Sequence, residues 1–374
     1  MYIIADRKEA LALVCILLLA PVVSRIVQRR AMAGAQLRID AKKNIYVGEK
    51  LPVTLFIHRK RRTPMGVIKV TLRIKNYLFQ ETKEMVLNLQ TEEKREMVFA
   101  YSPEVMESGK IIIEAVQMEF YDLMGMFCWK KEINIVNEIF VHPPEIQMNV
   151  GLSKRKESKN FGKLYHPFKK GQDVSEISNL REYVPGDEIN RIHWKLSAKF
   201  DKMIIKEFGY PANYDTLILY EVMKEANGQQ IPNKNNVGVL ALTIALSEAL
   251  LRLNVKHTVG HLYSGEWRTM NIDSIRKYEE MATQILCVPI DQEQNYIQML
   301  DTFVKDRMYL QYTKIIYITS KYEDEVTDYL SEKCDLTIIH VTEGSITNYE
   351  LSEKYMLVSI GAEEIANMAY TLEI

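Results

Sequence analysis

Cysteine is scarce in this chain. Cys15, Cys128, Cys287 and Cys334 are the whole complement of 374 residues, and no two form a CxxC pair. That scatter argues against a disulfide framework or a cysteine zinc site, and for a reducing compartment. Charge of one sign is lacking as well: 48 Lys and Arg stand against 49 Asp and Glu, a formal net charge of −1. Nothing in that balance calls for a nucleic-acid partner, and no basic-aromatic pattern accompanies it. There is no GxGxxG and no P-loop, so no nucleotide site is announced by motif and no cofactor is expected. What is present is 47% apolar residues, ordinary for folded protein, over a length that accommodates two domains.

One long apolar run exists, residues 10–24, ALALVCILLLAPVVS, which Ile26 and Val27 extend past Arg25. A bilayer span needs about 20 residues, with about 17 as the lower limit. The run reaches that length if Arg25 snorkels to the interface, and Pro21 is tolerable near a helix end. A retained single span over residues 1–35 is the preferred reading. A cleaved signal peptide competes, because Ala31, Met32 and Ala33 resemble a small-x-small site, but Arg25, Arg29 and Arg30 lie in the way. A buried core helix is the third reading, opposed by apolar residues on every face. The excess of Lys and Arg lies C-terminal to the run, which predicts a cell-membrane protein of one pass with its bulk in the cytoplasm.

Residues 36–142 alternate apolar and polar side chains repeatedly, as in Val53–His58, Val67–Ile74 and Glu96–Tyr101, with Gly and Pro between the runs. About seven short strands of this kind predict an immunoglobulin-like β-sandwich. The run Arg59, Lys60, Arg61 and Arg62 falls in an expected hairpin loop. It reads as a solvated loop or as a patch attracted to anionic headgroups, about 1 kcal/mol per cation near the surface.

Residues 143–210 form a connector and a dense central stretch. Leu180–Val184 is strand-like, Pro185-Gly186 signals a type II turn, and Asp187 is placed to cap a helix. Ile189, Ile192, Leu196 and Phe200 then fall on one helical face, with Arg191, Lys195 and Lys199 on another. This order of Gly171, Arg181, Tyr183, Pro185-Gly186-Asp187, Arg191 and Trp194-Lys195 resembles the signature of the bacterial family called domain of unknown function 58 (DUF58). Gly109, Asp122–Phe127 and Val141-His142-Pro143 resemble its upstream elements, so the resemblance covers most of the chain. It implies N-terminal membrane spans, a β-rich segment and a C-terminal von Willebrand factor A-like domain. It also implies association with AAA+ ATPases of the MoxR type. The chain departs from the family pattern in showing one span where two are common, and in His193 and Lys199, where Asp and Arg are usual.

Residues 211–374 alternate strands and helices, which predicts a parallel sheet covered on both faces, a doubly wound, von Willebrand A-like domain. Strands are expected near 216–220, 256–263, 284–290, 314–319 and 336–341, and a last helix over 363–372. The A-domain metal site needs Asp-x-Ser-x-Ser after the first strand; Tyr220 to Lys224 supply neither the Asp nor the serines, so no metal is expected. His257 and His261 lie on a strand, about 13 Å apart, too far to share an ion.

The fold expected is therefore α+β and multidomain: a membrane helix, a sandwich, and an α/β domain. The function expected is a membrane-anchored, non-enzymatic adaptor. Arg181, Tyr183, Pro185, Gly186, Asp187, Arg191, Trp194 and Lys195 would dock a protein partner, because cations beside a Trp match interface composition. Each of these also has a plain structural role, as cap, turn or ion-pair member. An enzyme with a dispersed site at Glu221, His193 and Asp187, with Ser197 as a weak nucleophile, and an exported binding protein are the alternatives.

Overall fold

The computed structural model describes residues 7–32, 34–60, 66–91, 94–122, 124–151, 177–184, 192–208, 216–226, 228–290, 296–344, 348–351, 354–365 and 370–373. The chain divides into two compact units, residues 1–144 with 283–290, and residues 145–282 with 291–374.

The first unit opens with helix α1 (Arg7–Met32), then β1 (Gln36–Ala41), β2 (Asn44–Tyr46), β3 (Val53–His58), β4 (Val67–Asn76), β5 (Glu81–Gln90), β6 (Glu96–Tyr101), β7 (Gly109–Tyr121) and β8 (Cys128–His142). They form two sheets, β1-β3-β6 and β2-β8-β7-β4-β5. Alternation explains the arrangement. Along β3 the residues Val53, Leu55 and Ile57 are buried while their neighbours are not, and β7 repeats the pattern over most of its 13 residues. Period-2 burial puts one face of each sheet on a shared core, where Ile39 and Leu55 of one sheet join Ile68, Val70, Ala115 and Ile139 of the other. Residues 284–290, expected as a strand, form none. They belong to this unit through backbone bonds from Lys110 N–H to Leu286 O (3.0 Å) and from Ile290 N–H to Leu78 O (2.9 Å).

No helix among the described residues is long and apolar enough to cross a membrane, α1 included. Its 26 residues begin with Arg7, Lys8 and Glu9 and end with Arg29 and Arg30, which confines the apolar stretch to the middle.

The second unit contains β9 (Met148–Gly151), β10 (Ile177–Glu182), α2 (Trp194–Phe200), β11 (Ile204–Phe208), β12 (Thr216–Tyr220), β13 (Glu225–Ala226), β14 (Gln229–Gln230), α3 (Asn233–Arg252), β15 (His257–Tyr263) and β16 (Glu266–Ile272). These are followed by α4 (Ile275–Ile285), whose last turn joins the first unit, α5 (Tyr296–Lys305), β17 (Lys314–Thr319), α6 (Asp324–Ser331), β18 (Asp335–Thr342), β19 (Asn348–Leu351), β20 (Met356–Gly361) and β21 (Tyr370–Glu373). Its main sheet has seven strands in the order β16-β15-β12-β17-β18-β20-β19. Strands β15, β12, β17, β18 and β20 are parallel, and β16 and β19 run antiparallel at the edges. The order reverses between β12 and β17, the place where open α/β sheets keep their crevice.

All five residues of β12 are buried, as a central parallel strand requires. Leu217, Leu219, Ile315, Tyr317 and Ile338 pack with Met299 and Phe303 of α5 and Leu330 of α6. The other face takes α3, which packs so closely that a Cβ at Gly238 would lie 2.5 Å from Ile365 Cδ1 and 3.1 Å from Val341 Cγ1. The segment expected as a last helix instead ends in a strand: β21 pairs parallel with β9, Tyr370 opposite Met148 through Glu373 opposite Gly151. Tyr370 and Leu372 are buried, so the alternation of this segment has period 2 and not 3.6.

Candidate functional site

The family-like central stretch folds as a hairpin with a helix in its loop. Strands β10 and β11 pair antiparallel, Leu180 opposite Lys206 and Glu182 opposite Ile204. Ile192 was expected within a helix begun at Asp187. It bridges to Ile205 in extended conformation and is buried, so the helix starts at Trp194. His193 caps it, its Nδ1 accepting from Leu196 N–H at 3.3 Å. The far end stops at Asp201 in the left-handed region, φ 54. Ser197 Oγ accepts from Ile204 N–H at 2.9 Å, which ties the helix to β11, and Tyr183 N–H donates to Met203 O at 2.8 Å, which joins the ends of the two strands.

No residue of α2 is buried. Trp194 is 63% exposed and Phe200 57%, with Met203, Val184 and Leu180 also exposed on the same hairpin. A seven-residue helix is far too short to persist on propensity. This one is held by its cap and by Ser197, leaving its aromatic side chains outward. Lys195 and Lys199 are exposed beside them, Lys199 Nζ 5.8 Å from the Phe200 ring centroid. Lys202 is paired with Glu182 at 2.7 Å. Tyr183 is half-buried. The side chain of Arg181, and Pro185, Gly186, Asp187 and Arg191 entirely, lie outside the described residues. Of the predicted docking residues, then, the hairpin displays Trp194 and Lys195. Phe200 and Met203 join them, unflagged in the sequence as surface groups because apolar residues at that spacing read as a core face.

The crevice end of the main sheet holds a different cluster. Glu221 follows β12 and is buried. The Tyr317 hydroxyl donates to its Oε2, and Thr319 Oγ1 lies 3.4 Å from the same oxygen. Burial drives the Glu221 pKa up to about 8, against the pull of those two hydroxyls, so the carboxyl is protonated at neutral pH. Asn236 of α3 closes the next turn, accepting from Met223 N–H at 3.0 Å and donating to Met223 O at 2.8 Å. His257 and His261 share strand β15 with separate partners, as the sequence predicted. His257 Nε2 lies 2.7 Å from Ser247 Oγ, and His261 Nδ1 lies 3.0 Å from Tyr220 Oη. Burial, helped by the Arg268 charge, lowers the His261 pKa to about 4, leaving a neutral ring. Among the described residues no group of three or more His, Cys, Asp or Glu is placed to hold a metal ion.

The expected cationic loop is only in part a surface patch. Arg59 is fully buried, donating from its guanidinium to Lys94 O at 2.9 Å and from its backbone to Arg95 O at 2.8 Å. It is a structural tie inside the first unit and cannot meet lipid headgroups. Lys60 is exposed, and Arg61 and Arg62 lie outside the described residues.

The family model "Protein of unknown function DUF58" matches residues 179–305, about a third of the chain and narrower than the resemblance read from the sequence. No curated protein matches. Among solved structures, a cohesin module of a family 33 glycoside hydrolase from Clostridium perfringens is similar at 10% identity and TM-score 0.21, covering 29% of this chain and 96% of that one. A β-glucosidase from Listeria innocua is similar at 15% identity and TM-score 0.21, over 29% of this chain and 16% of that one. A superoxide reductase (neelaredoxin) from Ignicoccus hospitalis follows at 13% identity and TM-score 0.18, over 29% of this chain and 80% of that one. Likeness at such TM-scores fixes neither fold nor function.

Proposed function

We propose that this chain, a DUF58 protein by its match over residues 179–305, is a membrane-attached, non-enzymatic adaptor whose β10–α2–β11 hairpin docks a protein partner. The observation that carries the reading is the helix with no buried residue, presenting Trp194 and Phe200 to solvent. Exposed aromatic side chains ringed by lysines have the composition of a binding hot spot. The lysines favour a partner surface that is apolar at its centre and acidic at its rim. The partner class implied by the family resemblance is a MoxR-type AAA+ ATPase.

The finer architecture belongs to the same reading. The two sheets of the first unit are an immunoglobulin-like sandwich. The α/β unit is von Willebrand A-like, with its metal motif replaced: Glu221 stands after β12 in a protonated hydrogen-bonded cluster where an A-domain would place acidic and hydroxyl ligands. Helix α1 attaches the chain to the membrane, with the bulk cytoplasmic. Against an enzyme with a dispersed site stand the existing engagements of its residues. Glu221 is held by Tyr317, His193 caps α2, and Ser197 accepts from Ile204.

The test is binding of a purified MoxR-type ATPase to the full chain and to Trp194→Ala/Phe200→Ala. Truncating two hot-spot aromatics weakens binding by about 2 kcal/mol or more, some thirtyfold. Equal binding by a folded double variant would remove the docking role.

A further inference from the structure

We propose that the tip of the β7–β8 hairpin is a collar on the last turns of α1, and that it seats the first unit in the headgroup layer of an anionic lipid bilayer. The proposal rests on the membrane-attachment reading of α1 and adds a second contact with lipid, made by a loop.

Every large apolar side chain of α1 between Leu13 and Ile26 is 50–69% exposed. Ile16, Leu17, Leu18 and Leu19 are consecutive, so their exposure covers all sides of the helix and not one stripe. A groove on a partner would cover one side; a lipid medium covers all of them.

The polar residues that follow are bound to the hairpin tip. Ser24 Oγ donates to Asp122 Oδ2 at 2.8 Å. Gln28 Nε2 donates to Phe120 O at 2.6 Å and to Phe127 O at 3.2 Å. The Arg25 guanidinium lies 5.3 Å from the Phe127 ring centroid and that of Arg29 lies 5.8 Å from the Trp129 ring. Positions 24, 25, 28 and 29 share one helix face, so the tip takes up that face as a block.

The consequence is one of length. The uncharged run 10–24 is about 22 Å long at 1.5 Å per residue, against about 30 Å of hydrocarbon. With Ser24 and Gln28 hydrogen-bonded and Arg25 against an aromatic face, the stretch compatible with an apolar medium extends through residue 28, to about 28 Å. The collar thus supplies what the isolated helix lacks.

The tip itself has the chemistry of an interface. Backbone bonds from Gly125 N–H to Asp122 O and from Asp122 N–H to Phe127 O close it, and Phe127 N–H donates to Asp122 Oδ1 at 2.9 Å. Gly125 takes φ +67, and a Cβ there would point into open space, as an outward turn requires. Met124 and Met126 on either side are exposed, as is Trp129. Burial opposes ionisation of Asp122, but the Phe127 N–H and Ser24 bonds outweigh it and hold its pKa low, so its charge is spent within the tip. Arg30 in the last turn of α1, Arg29 stacked beside Trp129, and Lys60, whose stem lies against Gly34 just beyond the helix, are cations placed to meet lipid phosphate. Trp at headgroup level beside arginines is the arrangement of a membrane-interface belt.

The test uses the full chain reconstituted in phosphatidylcholine–phosphatidylglycerol vesicles carrying a nitroxide either shallow or deep on the acyl chain. The chain is expected to float with the vesicles. Its tryptophan fluorescence is expected to be quenched more by the shallow than by the deep probe, and Trp129→Phe is expected to lose that excess. Met124→Trp, which places a new fluorophore on the tip, is expected to enlarge it. A chain that floats but shows no excess attributable to either position overturns the collar and leaves the anchor standing. A chain that does not float overturns both.

Discussion

Glu221 is buried at the reversal point of the main sheet, with a hydroxyl from Tyr317 on its carboxyl. Its pKa rises on folding from the ordinary 4.5 to about 8 because burial penalises the charged form. Between those values the unfolded chain has released a proton that the folded chain keeps. The stability it contributes is full below the ordinary value and is lost as pH rises toward about 8. Glu221→Gln keeps the shape and cannot ionise. Its thermal midpoint is expected to vary less than that of the wild type across that window and to equal or exceed it at the upper end; an unchanged slope would refute the protonated carboxyl. Asn236 gives a second prediction. Asn236→Ala strands both polar groups of Met223 and should destabilise the α/β unit by about 2 kcal/mol in denaturant titration. These roles were only partly legible. The missing Asp-x-Ser-x-Ser was visible in the sequence, and so was the strand placement of His257 and His261. That Glu221 would be buried under a tyrosine some hundred positions away depends on β12 and β17 becoming neighbours, which no local pattern states. Arg59 misled for the opposite reason: a run of cations reads as surface, yet the carbonyl of Lys94 comes within reach and pulls its first member inside.

At the scale of elements, period was a good guide where it was long and a poor one where it was short. The strands of the first unit and helices α3 to α6 follow their apolar spacing. Helix α2 of the central stretch begins at Trp194, because Ile192 is claimed by Ile205 across the hairpin, and Asp187, expected as a cap, lies outside the described residues. The last segment is a strand because β9 offers it an edge. Strands β19 and β20 went unread, their alternation being broken by charged and small residues. The exposure of α2 yields a prediction that separates display from packing. Trp194→Ala and Phe200→Ala remove side chains that bury little, so each should shift the thermal midpoint by no more than a degree or so, equivalent to about 0.5 kcal/mol for a surface change. A buried aromatic would cost about 3–5 kcal/mol. A loss of that size would mean that the hairpin packs its aromatics in solution and has none to offer.

Over the whole molecule, the broad order of helix, β-rich unit and α/β unit follows the sequence, and the compact units divide the chain beside its β-rich module, after Pro144. The expected cut between residues 210 and 211 falls inside the second unit, which already begins at Glu145, and residues 283–290 belong to the first. Such a return of the chain leaves no compositional mark. Among the described residues two exposed surfaces are of different kinds: an apolar helix with a methionine-bearing collar, and a hairpin showing Trp and Phe among lysines. An adaptor that joins a membrane to a protein partner uses both. The adaptor account stands or falls most directly on titrating a purified MoxR-type ATPase against the reconstituted chain, wild type and Trp194→Ala/Phe200→Ala. Saturable binding by the wild type with about a thirtyfold loss in an equally stable double variant is the result expected. No binding by the wild type, or undiminished binding by the variant, would contradict it.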